Sequence, residues 1–325
     1  MLVFFLLVKN MHAQDPIFTQ AFMIPETMNT GFTGSTESTT AGMVHRVQWP
    51  GLDFSINTQF AFVDTWLDEL NSGVGISILN HKETKTRYTF TQVNFNYAIA
   101  VRLSENWYFR PSISIGAGMK SSGFQNLILE DQINIFDGTI DINTIDPALL
   151  TSQIKFFDFS SSLLFNNEAS WVGITLRHLN KPNVSMTHEG NNALDMFLSV
   201  HSAIEIPFSI FPIFRNIDEE HKVYFLSNFM KQGQYTRLDI GSQYVYDRFS
   251  VGLLAAIDPE KRNLDTHLLT SINAFIGFKK EGWKFSYSQD FSTNSIGKTG
   301  GVYEITVSYN FENEGFRRLR CPKLF

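Results

Sequence analysis

The sequence predicts an all-β chain, a transmembrane antiparallel outer-membrane β-barrel of about fourteen strands. Three observations carry that prediction. The first is composition. Aromatic residues make up 14% of the 325 residues, with 31 Phe among them, while charged residues are only 18%, against roughly 25% in soluble domains. Mean hydropathy is nevertheless −0.09, and no apolar run approaches the ~20 residues of a membrane helix. The second is strict alternation. Tyr303, Ile305, Val307, Tyr309 and Phe311 are large and apolar or aromatic, and Glu304, Thr306, Ser308 and Asn310 between them are polar. Such a strand has an aliphatic middle and aromatic ends on one face, as lipid and its two interfaces require. The third is the rhythm of the connections, which alternate between short turns and longer loops.

The elements follow in chain order. Residues 1–13 have the apolar run Met1 to Val8 and then Ala13, the pattern of a signal peptide cleaved before Gln14. No Lys or Arg precedes that run, so the signal is expected to extend upstream of Met1. Residues 14–39 are expected to form a periplasmic or plug segment, 40–311 the barrel, and 312–325 a periplasmic tail. Strands are expected near 40–49, 53–63, 73–80, 87–102, 107–119, 153–166, 170–178, 196–206, 222–231, 235–246, 249–257, 266–279, 283–290 and 302–311.

Alternation is plain in Phe54, Ile56, Thr58, Phe60 and Phe62, with Ser55, Asn57, Gln59 and Ala61 between. It recurs in Val93, Phe95, Tyr97, Ile99 and Val101, and in Trp107, Phe109, Ile113 and Ile115 against Ser112, Ser114 and Gly116. The apolar faces are read as lipid-facing and the Ser, Asn, Gln and Gly faces as lumen. With both termini periplasmic, connections after even strands should be short. Residues 103–106, 166–169, 247–248 and 280–282 agree. The stretch 63–72 reads as a helical turn or two, and 207–221 is long and hydrophobic for such a turn. The longest connection, 120–152, follows an odd strand and faces outward.

Chemistry is sparse. The net charge of −6 offers nucleic acid no general affinity. The lone Cys321 excludes an intrachain disulfide and reads as a tail thiol without chemistry. None of the eight His residues lies in a zinc-protease or nucleophile-elbow context. Ser199 and His201 share a strand face with Glu205, the best catalytic candidate, but a polar lumen stripe explains them more simply. The acidic residues Glu130, Asp131 and Asp137 to Asp146 lack the spacing of an EF-hand, leaving at most incidental calcium. The chain is therefore read as a non-enzyme without cofactors. Phe124, Leu127, Ile128, Leu129, Ile133, Ile135 and Phe136 make the outer loop unusually apolar. They are partner-binding candidates, or a lid over the barrel's own mouth.

Several segments resemble one family. The opening Asp15-Pro16-Ile17-Phe18-Thr19-Gln20, followed by Pro25, Asn29, Phe32 and Gly34, is similar to the start of the PorP/SprF type IX secretion membrane proteins. Gly173 to His178 with Pro182, then Ser286-Tyr287-Ser288-Gln289-Asp290, Gly300-Gly301-Val302-Tyr303-Glu304-Ile305 and the terminal Cys321-Pro322-Lys323-Leu324-Phe325 match further family segments in order. Ile24, Thr30-Gly31 and Tyr303 depart from the family pattern. The resemblance implies an outer-membrane barrel of type IX secretion or gliding motility. It would help export or retain a large secreted adhesin through that protein's C-terminal sorting domain. Periplasmic ring or lipoprotein components are the alternative partners. A fatty-acid-transporter-like channel for hydrophobic ligands is the alternative function.

Overall fold

The computed structural model describes residues 15–122, 133–134, 139–140, 153–185, 192–207, 221–260, 268–293 and 299–311. The barrel strands are β1 (Thr40–Gln48), β2 (Ile56–Leu67), β3 (Ser72–Glu83), β4 (Thr89–Ile99), β5 (Tyr108–Ser121), β6 (Gln153–Asn166) and β7 (Ser170–Arg177). They continue as β8 (Phe197–Ile206), β9 (His221–Gln232), β10 (Tyr235–Tyr246), β11 (Phe249–Ile257), β12 (Leu269–Lys280), β13 (Trp283–Ser292) and β14 (Val302–Asn310). Each strand pairs antiparallel with its sequence neighbour, and β14 returns to β1 with Glu304 opposite Arg46. All backbone edges are thereby closed, the condition for a sheet to stand in hydrocarbon. The fourteen expected strands are all present and in order. The stretch 63–72 differs: β2 runs on to Leu67, and only Asp68–Leu70 form a 3-10 turn.

At one mouth strand ends are joined by short turns such as 167–169, Asp247-Arg248 and Glu281-Gly282; at the other lie the strand ends that flank the long connections 122–152, 178–196 and 293–301. Near the short-turn mouth the outer wall carries paired aromatics. Trp283 lies 4.6 Å from Tyr309, Phe109 4.7 Å from Phe165 and Phe249 5.1 Å from Phe278. This is the interfacial girdle of a membrane barrel.

On most strands large apolar side chains face outward, but several also point into the lumen. On β4, Val93 and Phe95 are exposed outward while Gln92, Asn94 and Asn96 look inward. On β2 the expectation is reversed. Phe60 and Phe62 are buried in the lumen, and Gln59 and Ala61 face out. The reason lies in what fills the lumen. A fourteen-stranded barrel is too wide for its own side chains to fill. Here residues 15–38 occupy the space, in three 3-10 turns at Thr19–Phe22, Pro25–Thr27 and Thr30–Phe32. Phe18, Phe22, Ile24, Met28 and Phe32 of this plug form one buried cluster with Phe60, Phe62, Leu164, Trp171 and Leu226 of the wall. The apolar alternation of β2 thus serves an internal core and not lipid.

The plug traverses the barrel. Asp15 contacts His178 and Gln232, at the ends of β7 and β9 that face the long loops. Gly34 lies against Gly73 and Trp66 near the short-turn mouth, and Ser38 Oγ donates to Asn310 Oδ1 there. Residues 15–38 thus run through the lumen, with Asp15 at the loop-rich mouth and Ser38 at the short-turn mouth.

Candidate functional site

Three polar anchors hold the plug, each joining a plug group to a group of the wall. The first is at the closure seam. Glu304 of β14 accepts from Thr19 N at 2.9 Å, Thr19 Oγ1 at 3.0 Å and Gln20 N at 2.8 Å, and pairs with Arg46 of β1 at 2.5 Å. The backbone carbonyl of Glu304 takes the Gln20 amide at 2.8 Å, and Thr306 Oγ1 donates to Gln20 Oε1 at 2.7 Å. Thr19 and Gln20 open the first 3-10 turn, whose leading N–H groups lack helical partners and need an outside acceptor. A carboxylate supplies it.

The second anchor is Asn29. Its Nδ2 donates to Leu163 O at 3.1 Å and to His201 Nε2 at 3.0 Å, while its Oδ1 accepts from Gly31 N at 2.7 Å. Gly173 makes this approach possible, since a Cβ there would lie 2.4 Å from His201 Nε2 and 2.6 Å from Asn29 Nδ2. Thr175 Oγ1 donates to Met28 O at 2.8 Å, and Arg110 Nη2 to Thr33 O at 2.7 Å.

This anchor contains the catalytic candidate. Ser199 and His201 do meet, Oγ to Nδ1 at 2.9 Å. The proton assignment is wrong for nucleophilic catalysis. Asn29 donates to Nε2, so Nδ1 carries the ring proton and donates to Ser199, whose own proton goes to Asn228 Oδ1 at 2.8 Å. The imidazole is not placed to accept the serine proton. Glu205 stands apart, accepting from Tyr224 Oη at 3.2 Å and from Lys222 at 3.4 Å. Sequence spacing brought two residues together correctly and could not show that a plug amide would take the place of the carboxylate.

The third anchor lies at the loop-rich mouth and was missed in the sequence. His178 follows β7 with φ +58°, a left-handed conformation uncommon outside glycine. Its Nδ1 meets Asp158 Oδ1 at 2.9 Å, and its Nε2 meets both Asp15 carboxylate oxygens at 2.8 and 2.9 Å. With a carboxylate at each nitrogen the ring donates twice and is an imidazolium. Burial opposes that charge, but Asp15 and then Asp158 outweigh it and raise the His178 pKa to about 9. Burial likewise favours the neutral form of Asp15. His178 and, more weakly, Arg177 and Lys120 overcome it and hold the carboxyl at about 2. The sequence signal was present, because Asp15 and His178 both belong to the segments that resemble the family, but nothing in the sequence joined them.

Between plug and wall beneath this anchor lies a cavity of about 70 Å³. Its lining is largely polar, with Ser77, Gln92, Asn94, Asn96, Ser114 and Ser160 among the wall residues. Among the described residues no cluster of His, Cys, Asp and Glu could hold a metal. Of the outer-loop candidates only Ile133 is described, exposed in a two-residue strand paired with Thr139–Ile140. Phe124, Leu127, Ile128, Leu129, Ile135 and Phe136 lie outside the described residues, as do Glu130, Asp131, 141–146, 208–220 and Cys321.

Comparison with known proteins gives a family and a fold. A family model described as the type IX secretion system membrane protein PorP/SprF matches residues 10–309. No curated protein matches the chain. Among solved structures, the chain is similar to the P. putida toluene transporter TodX at 8% identity, covering 88% of this chain and 94% of that one, with a TM-score of 0.52. The CymD monoaromatic hydrocarbon channel is similar at 11% identity, 91% and 94% coverage and a TM-score of 0.47. A Pseudomonas aeruginosa FadL homologue follows at 9% identity, 85% and 90% coverage and a TM-score of 0.41. At such identities only the first supports an argument, and that argument concerns fold alone. A closed fourteen-stranded barrel matched over most of its length by that family model is an outer-membrane β-barrel, and the chain belongs to the PorP/SprF family of type IX secretion system membrane proteins.

Proposed function

We propose that this protein is a non-enzymatic, closed barrel that helps export or retain a large secreted adhesin at the cell surface, binding that adhesin's C-terminal sorting domain. One observation supports a binding role over a conducting one: the plug crosses the lumen and is hydrogen-bonded to β1, β5, β7 and β14 along its length. Work on a partner then falls to surfaces outside the lumen, chiefly the loop-rich mouth. The polar lining of the cavity beneath the third anchor argues against a channel for hydrophobic ligands.

The test is deletion of the gene in the native host, with complementation by the intact chain. Surface display of type IX adhesins should fall on deletion and return on complementation, and unchanged display overturns the reading. Capture of ring lipoproteins and no adhesin by the purified barrel would favour the periplasmic alternative instead.

A further inference from the structure

We propose that the loop-rich mouth holds a carboxylate-binding site, formed by His178 and Arg177 in the field of Lys120, which Asp15 of the plug occupies in cis and which a carboxylate on another chain takes in its place. The proposal does not depend on whether that other chain is an adhesin.

Lys120 carries the first argument. It stands near the loop-rich end of β5 and is only 4% exposed. Its ammonium lies 5.4 Å from the centroid of Phe90 and 5.9 Å from that of Phe156, and among the described residues it has ring faces and no carboxylate for contact. Ring faces compensate a buried ammonium only in part, so the position is suited to an anion. Asp15 feels Lys120 through space, in addition to its hydrogen bond with His178 and its ion pair with Arg177.

Charge balance carries the second. Asp15 pairs with His178 and Arg177, and Asp158 with His178 alone. With Asp15 withdrawn, one carboxylate is left to these two basic side chains, Glu26 being the other acidic residue that lines the cavity. Arg177 is used loosely, 3.8 Å from Asp15 Oδ2, because its Nη2 donates to Thr27 O. Its side chain remains 26% exposed and could engage an incoming group.

Placement carries the third. Of these groups only Asp15 is delivered by the plug; the others are fixed to the wall. Its backbone N–H is tied to Gln232 Oε1 at 2.8 Å, so one side chain and one amide hold the start of the plug here. The cavity alongside is about 70 Å³, room for about two water-sized groups. A competing carboxylate, whether a chain terminus or an acidic side chain, would therefore free the start of the plug at the mouth where a partner would arrive.

The test uses the full chain in detergent, the Asp15→Ala variant and acetate as probe, with chloride at equal ionic strength as control. The midpoint at which the barrel loses its heat-modifiable gel form should drop in D15A. Acetate should restore part of it saturably, with little effect on the wild type. Adding Lys120→Met or His178→Gln should weaken the acetate response on the order of tenfold. Should D15A not fold, Asp15→Asn keeps the shape and gives the same readout. A folded variant that gains nothing from acetate over chloride overturns the site. So does an equal gain without Lys120 and His178. Peptides then identify the source. Binding of a free C-terminus but not its amide points to a chain terminus, and binding of an amidated acidic peptide points to a side chain. A response to acetate with neither peptide overturns the partner role and leaves an intramolecular latch.

Discussion

His178 is the residue on which the loop-rich anchor turns, and its ionisation sets a pH window. Its pKa is raised from 6.5 to about 9 in the folded state, so its contribution is complete below pH 6.5 and is lost as pH rises through about 9. Asp15 is lowered from 3.8 to about 2, so its contribution is complete above pH 3.8 and is lost as pH falls through about 2. The anchor is thus at full strength between these inner limits. Protease protection of the plug's first turn should be flat across that window and decline at alkaline pH. His178→Gln should abolish the alkaline decline, and an unchanged profile in that variant would refute the assignment. Glu304 is the more costly loss. Glu304→Ala strands the buried Arg46 guanidinium and two plug amides, so about 3 kcal/mol of stability should go, read as a lowered midpoint of heat modifiability.

At the level of elements, the plug and the strand β2 explain each other. Phe18 lies tilted against Phe60 at 6.1 Å, and Phe32 meets Trp171 edge-on at 5.1 Å. A strand whose inner face is aromatic would leave that face against water if the plug moved. Gly173→Leu tests the fit, because its side chain would occupy the space of His201 and Asn29. Loss of about 2 kcal/mol is expected, along with new protease access to residues around Asn29. The seam was legible from sequence, since the last strand and the first had to pair in an even-numbered barrel. The facing of β2 was not. Alternation tells the two faces of a strand apart, but an aromatic face suits lipid and a buried plug equally well.

For the whole molecule, the plug predicts silence. The intact protein should show no sustained conductance in a planar bilayer. Removal of residues 15–33 should open a water-lined pore, because Ser, Asn and Gln line much of the wall. A deletion variant that stays heat-modifiable and remains silent would show that the plug is not the block.

Composition and period determined that this chain is an outer-membrane barrel, how many strands it has and where they lie. These are local properties, because each strand meets lipid on one side and the lumen on the other every second residue. The short family-like segments placed Asp15, Gly173, His178 and Glu304 in separate stretches of chain. Only the tertiary structure joined Asp15 to His178 across 163 positions and Thr19 to Glu304 across 285. It also decided that residues 15–38 run through the lumen from the loop-rich mouth. Such pairings depend on which side chains a closed cylinder brings face to face across its interior, and no period along the chain encodes that distance.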